Sequence, residues 1–237
     1  MKSTHITILI CLLLVVFSAQ GQLKKPTAPV KKESTIINIR GVKMIKIPGK
    51  NLYFSATEIT IGQYLKFCKS TGTHYPEWLK PNNKNNIYSG SEKDYLEVGM
   101  SESNLNYPIT GVSWNDAIAF CKWLGVRLPT ESEWEYAATG NKKYEYAGSN
   151  NLWDYGWFEA NSGDGVHSVK TKKPNAFGLY DMSGNVSEWT ATPDGSDRVI
   201  KGGSWMSLDD ECLITYRDVY DPADCNWEIG FRVVCNS

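Results

Sequence analysis

The sequence has little histidine, almost no net charge and no motif for binding nucleotides. Its three histidines among 237 residues have no metal-ligand spacing, so a histidine-based metal site is not expected. With 25 basic and 26 acidic residues, there is no basic stripe to neutralise phosphates, which makes nucleic acid a poor partner. No phosphate loop, dinucleotide fingerprint or Gly-x-Ser-x-Gly motif occurs, and nothing points to a Ser/His/Asp site. Catalysis by these common routes is therefore not expected.

Long apolar runs are also absent, apart from one stretch at the amino terminus. After a lysine, an uncharged apolar run extends from Ile6 to Phe17, and Ala19 and Gly21 then stand at the small-residue positions of a cleavage site. This arrangement is typical of a secretory signal peptide, and the run is too short to span a bilayer comfortably. Residues 1–21 are therefore predicted to be a signal peptide cleaved near Gly21. The mature chain is expected to be secreted or periplasmic, without a transmembrane segment.

The mature chain is predicted to begin with a tether. Residues 22–35 are rich in lysine and proline and have almost nothing to bury, which favours a semi-extended linker. The remaining residues, 36–237, have the length of one large domain, and many aromatic residues are available for its core.

Three helices are marked by capping signals. Each is predicted to begin at a residue placed to cap it: Thr60, Ser113 and Thr130. Asp116 and Glu133 complete capping boxes for the second and third helices, and Gly72 and Gly125 end the first two. In the first two segments, apolar residues recur at the spacing of one helix face.

The predicted strands are short, and irregular chain is abundant. Alternation predicts a strand near 42–47, and two more short strands are expected within 198–206 and 228–235. Residues 73–107 and 141–175 have no sustained period but contain many aromatic residues, which indicates ordered irregular loops. The pattern is that of an α+β domain with a high loop content.

Four segments, in this order, resemble the formylglycine-generating enzyme (sulfatase-modifying factor) domain family. They are VSWNDAIAFCKWLGVRLPTESEWEYAATG, NAFGLYDMSGNVSEWT, RVIKGGSWM and GFRVV. The resemblance implies one domain with a C-type-lectin-like core, few helices and small antiparallel sheets. The best-known members oxidise a sulfatase cysteine to formylglycine with copper(I) and oxygen, but other members have different roles, so family membership does not fix function.

In those enzymes two thiolates hold the copper ion, and this chain matches only one of them. The corresponding positions here are Ser207 and Cys212, and a serine hydroxyl does not replace a soft ligand of Cu(I). Ser204 matches a serine that lines the family's active site, and Ser187 stands where the family has a tryptophan beside the pocket. Cys212 and Ser204 are therefore the candidates for any remaining catalysis, and ordinary copper oxidase chemistry is not expected.

The resemblance also implies a structural calcium ion in the loop DMSGNVSE. The family's ligands, two side chains and two carbonyl groups, correspond here to Asp181, Gly184, Val186 and Glu188. Calcium prefers such oxygen donors, so the loop is predicted to bind it. The competing interpretation is an Asx-turn at Asp181 with Glu188 solvated. At a second family site this chain offers only Asn161 and Asp164, and no ion is expected there.

Five cysteines follow the signal segment, and an oxidising compartment favours disulfides, but five cannot all pair. The resemblance implies a Cys121–Cys235 bond, with the second cysteine displaced by two residues from the family position; Cys68 is the rival partner. The others allow Cys212–Cys225, which would end any thiol chemistry. They also allow Cys68–Cys225, which would leave Cys212 free.

Other prominent side chains are interpreted as structural. Arg127 and Arg232 are predicted to form buried or half-buried ion pairs. Candidate partners of Arg127 are three nearby carboxylates: Glu131, Glu133 and Glu135. Most tryptophans are assigned to the core, whereas Trp78 and Trp153 are candidates for surface contacts.

Three functions are compatible with these features. The favoured one is an exported, calcium-stabilised domain that binds a protein, peptide or other ligand in its cleft. The second is a copper-dependent oxidase that activates sulfatases with Cys212 and an unorthodox second ligand. The third is a structural component of a cell-envelope or secretion assembly, which the tether and the predicted export suggest.

Overall fold

The computed structural model describes residues 35–80 and 92–237. The predicted signal peptide, 1–21, and the predicted tether, 22–35, lie outside this part of the chain, except for Thr35. The described residues form two four-stranded sheets, a few short helices and much irregular chain. This is the expected α+β architecture. Within the same residues, no helix combines the length and the apolar character needed to cross a membrane.

The strands are short and lie at both ends of the domain sequence. In chain order they are β1 (Ile36–Ile39), β2 (Val42–Lys46), β3 (Leu52–Ser55), β4 (Ser187–Asp194), β5 (Asp197–Lys201), β6 (Asp218–Tyr220), β7 (Ile229–Gly230) and β8 (Val234–Asn236). The first sheet has the order β1-β2-β3-β8 and is antiparallel throughout. Tyr53 of β3 lies opposite Cys235 of β8, so the last strand completes a sheet begun by the first three.

The second sheet has the order β6-β5-β4-β7 and carries the cleft described below. Strands β4 and β5 form a hairpin that turns at Gly195, where φ is +58°. The hairpin is irregular between Trp189 and Pro193, and proline has no N–H to give to the ladder. Strand β7 runs parallel to β4, with Ser187 opposite Ile229, so this pair departs from the antiparallel expectation.

The three longer helices begin where the capping signals predict. The α-helices are α1 (Ile61–Thr71), α2 (Glu92–Glu97), α3 (Trp114–Leu124), α4 (Glu131–Thr139) and α5 (Glu159–Ser162). Before α1, α3 and α4, the cap hydroxyl accepts a backbone N–H bond, and the side chain three residues on accepts the cap's own N–H: a complete capping box. Each of these helices ends at a left-handed glycine: Gly72, Gly125 and Gly140.

The two predicted irregular regions are ordered where they are described, and they contact each other. The backbone N–H of Val166 donates to the carbonyl oxygen of Val98 at 3.1 Å. The indole of Trp157 stacks on the His167 ring, with centroids 3.7 Å apart. Short helical turns, including α2 and α5, interrupt both regions.

The core is aromatic and packs helices α1 and α3 against the sheets. Tyr64, Phe67, Phe120 and Phe231 form a network with ring centroids 5.4 to 6.2 Å apart. The tryptophans assigned to the core are buried or partly buried: Trp114, Trp123, Trp134, Trp189, Trp205 and Trp227.

The two tryptophans proposed for surface contacts differ from each other. Trp153 is 56% exposed, as predicted. Trp78 is only 6% exposed, and its indole N–H donates to the carbonyl oxygen of Thr110 at 3.0 Å. The surface prediction is therefore wrong for Trp78, because this partner lies 32 positions away in the sequence.

Both predicted arginine ion pairs are present. Arg127 pairs with Glu133, one of its three candidate carboxylates, and donates to both oxygens of this side chain at 2.7 Å. These hydrogen bonds lower the pKa of Glu133, which also accepts the backbone N–H of Thr130. Arg232 is fully buried and pairs with Glu188 at 2.6 Å.

Candidate functional site

The cleft forms where the chain leaves β5 at two consecutive glycines. Gly202 and Gly203 have φ of +101° and +68°, a region that suits glycine. A Cβ atom at Gly203 would lie 2.8 Å from the sulfur of Cys212 and 2.9 Å from the carbonyl oxygen of Glu211. The glycine turn therefore packs directly against the short helical turn Asp209–Cys212, and only glycine allows this approach.

Ser204 is held by the carboxylate of Glu228, which lines the cleft, whereas Ser204 itself is not among the lining residues. It is fully buried, and its hydroxyl donates to Oε2 of Glu228 at 2.6 Å. Its backbone N–H donates to the hydroxyl of Ser207 at 3.0 Å. The two histidines in the described residues are engaged elsewhere, His74 with Asp116 and His167 with a backbone carbonyl. Ser204 therefore lacks the imidazole base that usually activates a serine nucleophile.

Cys212 lies in a hydrophobic cluster and does not line the cleft, contrary to the predicted catalytic position. Its side chain is fully buried with Leu152 and Phe158. Burial, and to a smaller extent the negative charges of the preceding acidic residues, raises the pKa of the Cys212 thiol to about 12. The thiolate is the reactive and metal-binding form, and it is strongly disfavoured here.

The residues present do not fit a copper(I) ion. Ser207 supplies a hydroxyl that already accepts a hydrogen bond, and Cys212 supplies a buried, protonated thiol. Cys225, the nearest alternative thiol by sequence, has different electrostatic neighbours, foremost Lys80 and Glu77. Two adjacent soft donors are therefore not assembled at this position.

The cleft contains a small acidic cavity. Its volume is about 110 Å³, and its lining includes Ser187, Lys201, Ser207, Glu211, Tyr216, Asp218, Tyr220, Asn226 and Glu228. Within the described residues, none of its three carboxylates, Glu211, Asp218 and Glu228, forms an ion pair. The lysine in the lining is fully buried and is committed to Glu135 at 2.8 Å. The cavity therefore offers negative charge and hydrogen-bond acceptors to a ligand.

The loop predicted to bind calcium has the tight backbone that its sequence suggests. Asp181, Gly184 and Asn185 all have positive φ, of +55°, +77° and +67°. A Cβ atom at Gly184 would lie 2.1 Å from the carbonyl oxygen of Trp157. One carboxylate oxygen of Asp181 accepts the backbone N–H of Lys170 at 2.7 Å. The other, Oδ1, is buried and accepts no hydrogen bond from an N–H group of the described residues, and the side chain of Glu58 lies within hydrogen-bond reach of this carboxyl group. Asp181 therefore fits the role of a cation ligand.

Glu188 has other partners than the predicted ion. Arg232 Nε donates to both of its carboxylate oxygens, at 2.8 and 2.6 Å, and the indole N–H of Trp134 donates to Oε2 at 2.6 Å. Its side chain is 1% exposed, so the alternative of a solvated carboxylate is also wrong. No group of three or more His, Cys, Asp or Glu side chains arranged for a metal occurs in the described part. The calcium site with its four predicted ligands stays a prediction, in which Glu188 also accepts hydrogen bonds from Arg232 and Trp134.

Glu58, which the sequence analysis missed, lies beside this loop. It is fully buried, and its Oε1 accepts a hydrogen bond from the amide of Asn185 at 3.0 Å. Burial, and then the nearby charge of Asp181, raises the pKa of Glu58 well above its usual value. The available signal was an acidic residue three positions after the end of strand β3 and two positions before the cap residue of α1.

The five cysteines of the described residues are free thiols in this structure. The predicted Cys121–Cys235 disulfide is therefore not formed in this structure. Cys121 lies in a hydrophobic cluster, and Cys235 packs against the same cluster. Cys68 donates to the carbonyl oxygen of His74 at 3.3 Å. The Cys121–Cys235 pairing stays a prediction.

Two small sheets, a few capped helices and a cleft at a double-glycine turn define a C-type-lectin-like domain of the formylglycine-generating-enzyme type. The solved structure of Treponema denticola variable protein 1 matches this chain with a TM-score of 0.63 and 23% identity. That match covers 85% of this chain and 98% of the other. The chain belongs to the family whose model is described as the sulfatase-modifying factor enzyme 1-like domain, which matches residues 15–237.

Two relatives within this similarity carry opposite descriptions of activity. The protein named inactive C-alpha-formylglycine-generating enzyme 2 of Bos taurus is 39% identical over 150 residues, 54% of this chain and 50% of that protein. The formylglycine-generating enzyme of Mus musculus is 37% identical over 165 residues, 54% of this chain and 44% of that protein. The chain thus spans about half the length of these relatives.

Proposed function

We propose that this protein is an exported, non-oxidising member of its family that binds a protein or peptide ligand in the acidic cleft. The observation that carries the proposal is the burial of Cys212 in a hydrophobic cluster behind Gly203, with Ser207 at the position of the other thiolate. A relative named as inactive, at 39% identity, supports the same reading.

The cavity suits the end of one cationic side chain. Sites for drug-sized molecules typically occupy about 300–1,000 Å³, so a cavity of about 110 Å³ takes a smaller group. Three carboxylates without ion-pair partners, with two tyrosines beside them, favour a lysine or arginine side chain of a peptide, because charge-assisted hydrogen bonds are the strong ones.

Calcium stabilisation and export complete the proposal. A structural cation at the loop after Asp181 would neutralise buried carboxylate charge and hold irregular chain in place. The Lys- and Pro-rich segment 22–35 would then act as a tether that presents the domain away from its point of attachment or release.

The binding proposal is tested with labelled peptides that carry one lysine or arginine, and with matched peptides in which glutamine replaces it. Wild-type protein should prefer the cationic peptides in fluorescence polarisation. Glu228→Gln, which keeps an acceptor for Ser204, should weaken this binding about tenfold, since a charged hydrogen bond contributes about 1.5–3 kcal/mol.

Two control variants separate the cleft from other surfaces. Glu145→Gln removes an equal charge from an exposed position and should leave binding unchanged. Trp153→Ala alters a second cavity, of about 390 Å³, on the outer side of the Cys212 cluster. Loss of binding in Trp153→Ala but not in Glu228→Gln would show that the cleft is not the site. Formation of formylglycine from a sulfatase peptide with copper and oxygen would refute the non-oxidising role.

A further inference from the structure

A second cavity, separate from the acidic cleft, lies beside the hydrophobic cluster that holds Cys212. Its volume is about 390 Å³, within the range of about 300–1,000 Å³ typical of sites for small molecules. Within the described residues, its lining shares no member with that of the cleft. Three aromatic rings, two carboxylates and one leucine carry its chemistry: Tyr146, Trp153, Phe158, Glu159, Asp209 and Leu208. The binding proposed for the cleft makes no use of them.

The aromatic rings form a partly open corner. The indole of Trp153 is 56% exposed and meets the ring of Phe158 at an interplanar angle of 81°, with centroids 5.6 Å apart. Phe158 is buried, and Tyr146 packs against the same hydrophobic cluster. A large aromatic surface is therefore available to a ligand in this cavity.

Hydrogen bonds hold the segments of the lining together. The backbone N–H of Glu159 donates to the carbonyl oxygen of Ser207 at 3.0 Å, which joins α5 to the turn that follows the cleft. The hydroxyl of Ser183 accepts the N–H of Ala147 at 3.1 Å and donates to the carbonyl oxygen of Cys212 at 2.9 Å. The cavity is thus formed before any ligand binds, as is usual for small-molecule sites.

The cavity is negatively charged. Glu159 and Asp209 are exposed, and neither forms an ion pair within the described residues. The described lining contains no lysine or arginine. Lys172 donates to the carbonyl oxygen of Trp153 at 2.6 Å and is not among the lining residues. Burial, and then the charge of Asp209, raises the pKa of Tyr146, so this phenol lies close to the negative charge.

Aromatic faces beside unpaired carboxylates favour a cation. The face of an aromatic ring, that of tryptophan above all, attracts positive charge, and methylated ammonium groups are recognised in this way. A primary ammonium group is strongly hydrated and needs acceptors for three N–H donors, which suits the smaller acidic cleft. A trimethylammonium group has no N–H donor, fills more volume and presents methyl groups to rings and to an aliphatic side chain such as Leu208.

We propose that this second cavity binds the trimethylammonium group of a choline-type ligand. The rings of Trp153, Phe158 and Tyr146 surround the methyl groups. The carboxylates of Glu159 and Asp209 supply the opposite charge from the exposed edge of the cavity. This binding is additional to that of a peptide in the cleft and does not depend on it.

The test titrates the mature chain with choline and with 3,3-dimethyl-1-butanol, the neutral isostere in which carbon replaces nitrogen. Calorimetry measures the affinity, and quenching of tryptophan fluorescence gives a second signal. Wild type should bind choline at least about tenfold more tightly than the alcohol, because only the cation gains from the rings and the carboxylates. Equal affinities, or no heat from choline up to about 50 mM, would overturn the proposal.

Variants locate the site. Trp153→Ala should weaken choline binding about tenfold, whereas Trp153→Phe keeps an aromatic face and should lose less. The matched control is Tyr144→Ala, which removes another exposed ring that does not line the cavity and should bind choline as wild type does. The double variant Glu159→Gln/Asp209→Asn should reduce the preference for choline over the alcohol. Unchanged choline binding in Trp153→Ala would overturn this location.

A trimethylammonium group occurs in free choline and in the head group of phosphatidylcholine. Sedimentation with phosphatidylcholine vesicles distinguishes the two sources, with phosphatidylglycerol vesicles as the control. Binding of free choline without sedimentation would support a soluble ligand. Sedimentation with phosphatidylcholine alone, lost in Trp153→Ala, would support the lipid head group.

Discussion

Replacing Arg232 by methionine should destabilise this domain more than any surface change. The guanidinium holds the buried carboxylate of Glu188 and donates to three backbone carbonyl oxygens. Removing one member of a buried ion pair typically costs about 3–5 kcal/mol, because the other charge stays in the protein interior. For a domain of this size, each kcal/mol lowers the unfolding temperature by about 2–4 °C. Arg232→Met is therefore expected to unfold about 6–20 °C below wild type.

The matched control is Arg127→Met, the same substitution in a half-exposed pair with Glu133. It should cost at most about 1 kcal/mol, since exposed ion pairs are screened by solvent. The double variant Arg232→Met/Glu188→Leu should recover much of the lost stability, because it removes the stranded charge as well. Calorimetry in chelator measures all of them. Equal shifts for the two arginine variants, or a double variant less stable than Arg232→Met, would refute the reasoning.

Three further predictions concern thiols and acid. Ser207→Cys should not create copper-dependent oxidation of a sulfatase peptide, because Cys212 stays buried and protonated; turnover measured by mass spectrometry would contradict this. Glu133→Gln should cost about 1 kcal/mol at pH 7. The pKa of Glu133 is lower in the folded protein than the unfolded value of 4.5, so its ionised carboxylate stabilises the fold above pH 4.5. This stabilisation disappears as the pH falls through the folded pKa. The unfolding curves of wild type and variant should therefore converge in acid. In native alkylation followed by peptide mapping, the partly exposed Cys235 should react or appear bridged, whereas Cys212 should react only after denaturation.

The helices could be predicted because their signals are local. A cap hydroxyl, the residue three positions on and a terminal glycine fix each end within one turn of chain, and all three helices begin accordingly at Thr60, Ser113 and Thr130. The ion pair of Arg127 was predicted only as far as three nearby carboxylates, and the structure selects Glu133, six positions away. The family motifs added the sheets and the position of the cleft.

The candidate site was less predictable because its partners are distant in sequence. In the sequence, Glu188 stands at the position of a calcium ligand of the loop. In the structure, Arg232, which lies 44 positions away, donates to both oxygens of its carboxylate. Glu58 accepts a hydrogen bond from Asn185, which lies 127 positions away, and no rule of sequence spacing predicts such a contact. Cys212 follows three acidic residues, which suggests exposure, but its side chain points into a hydrophobic cluster. Long-range packing decided each of these cases.

The pairing of β3 with β8 has a consequence for the order in which the chain folds. Tyr53 meets Cys235 only after nearly the whole domain has been synthesised, so this sheet has a very high contact order. A chain emerging from the ribosome cannot finish its first sheet before its final residues are available. Until then, β3 lacks the neighbour that completes the order β1-β2-β3-β8, so the amino-terminal strands wait for the carboxyl-terminal one.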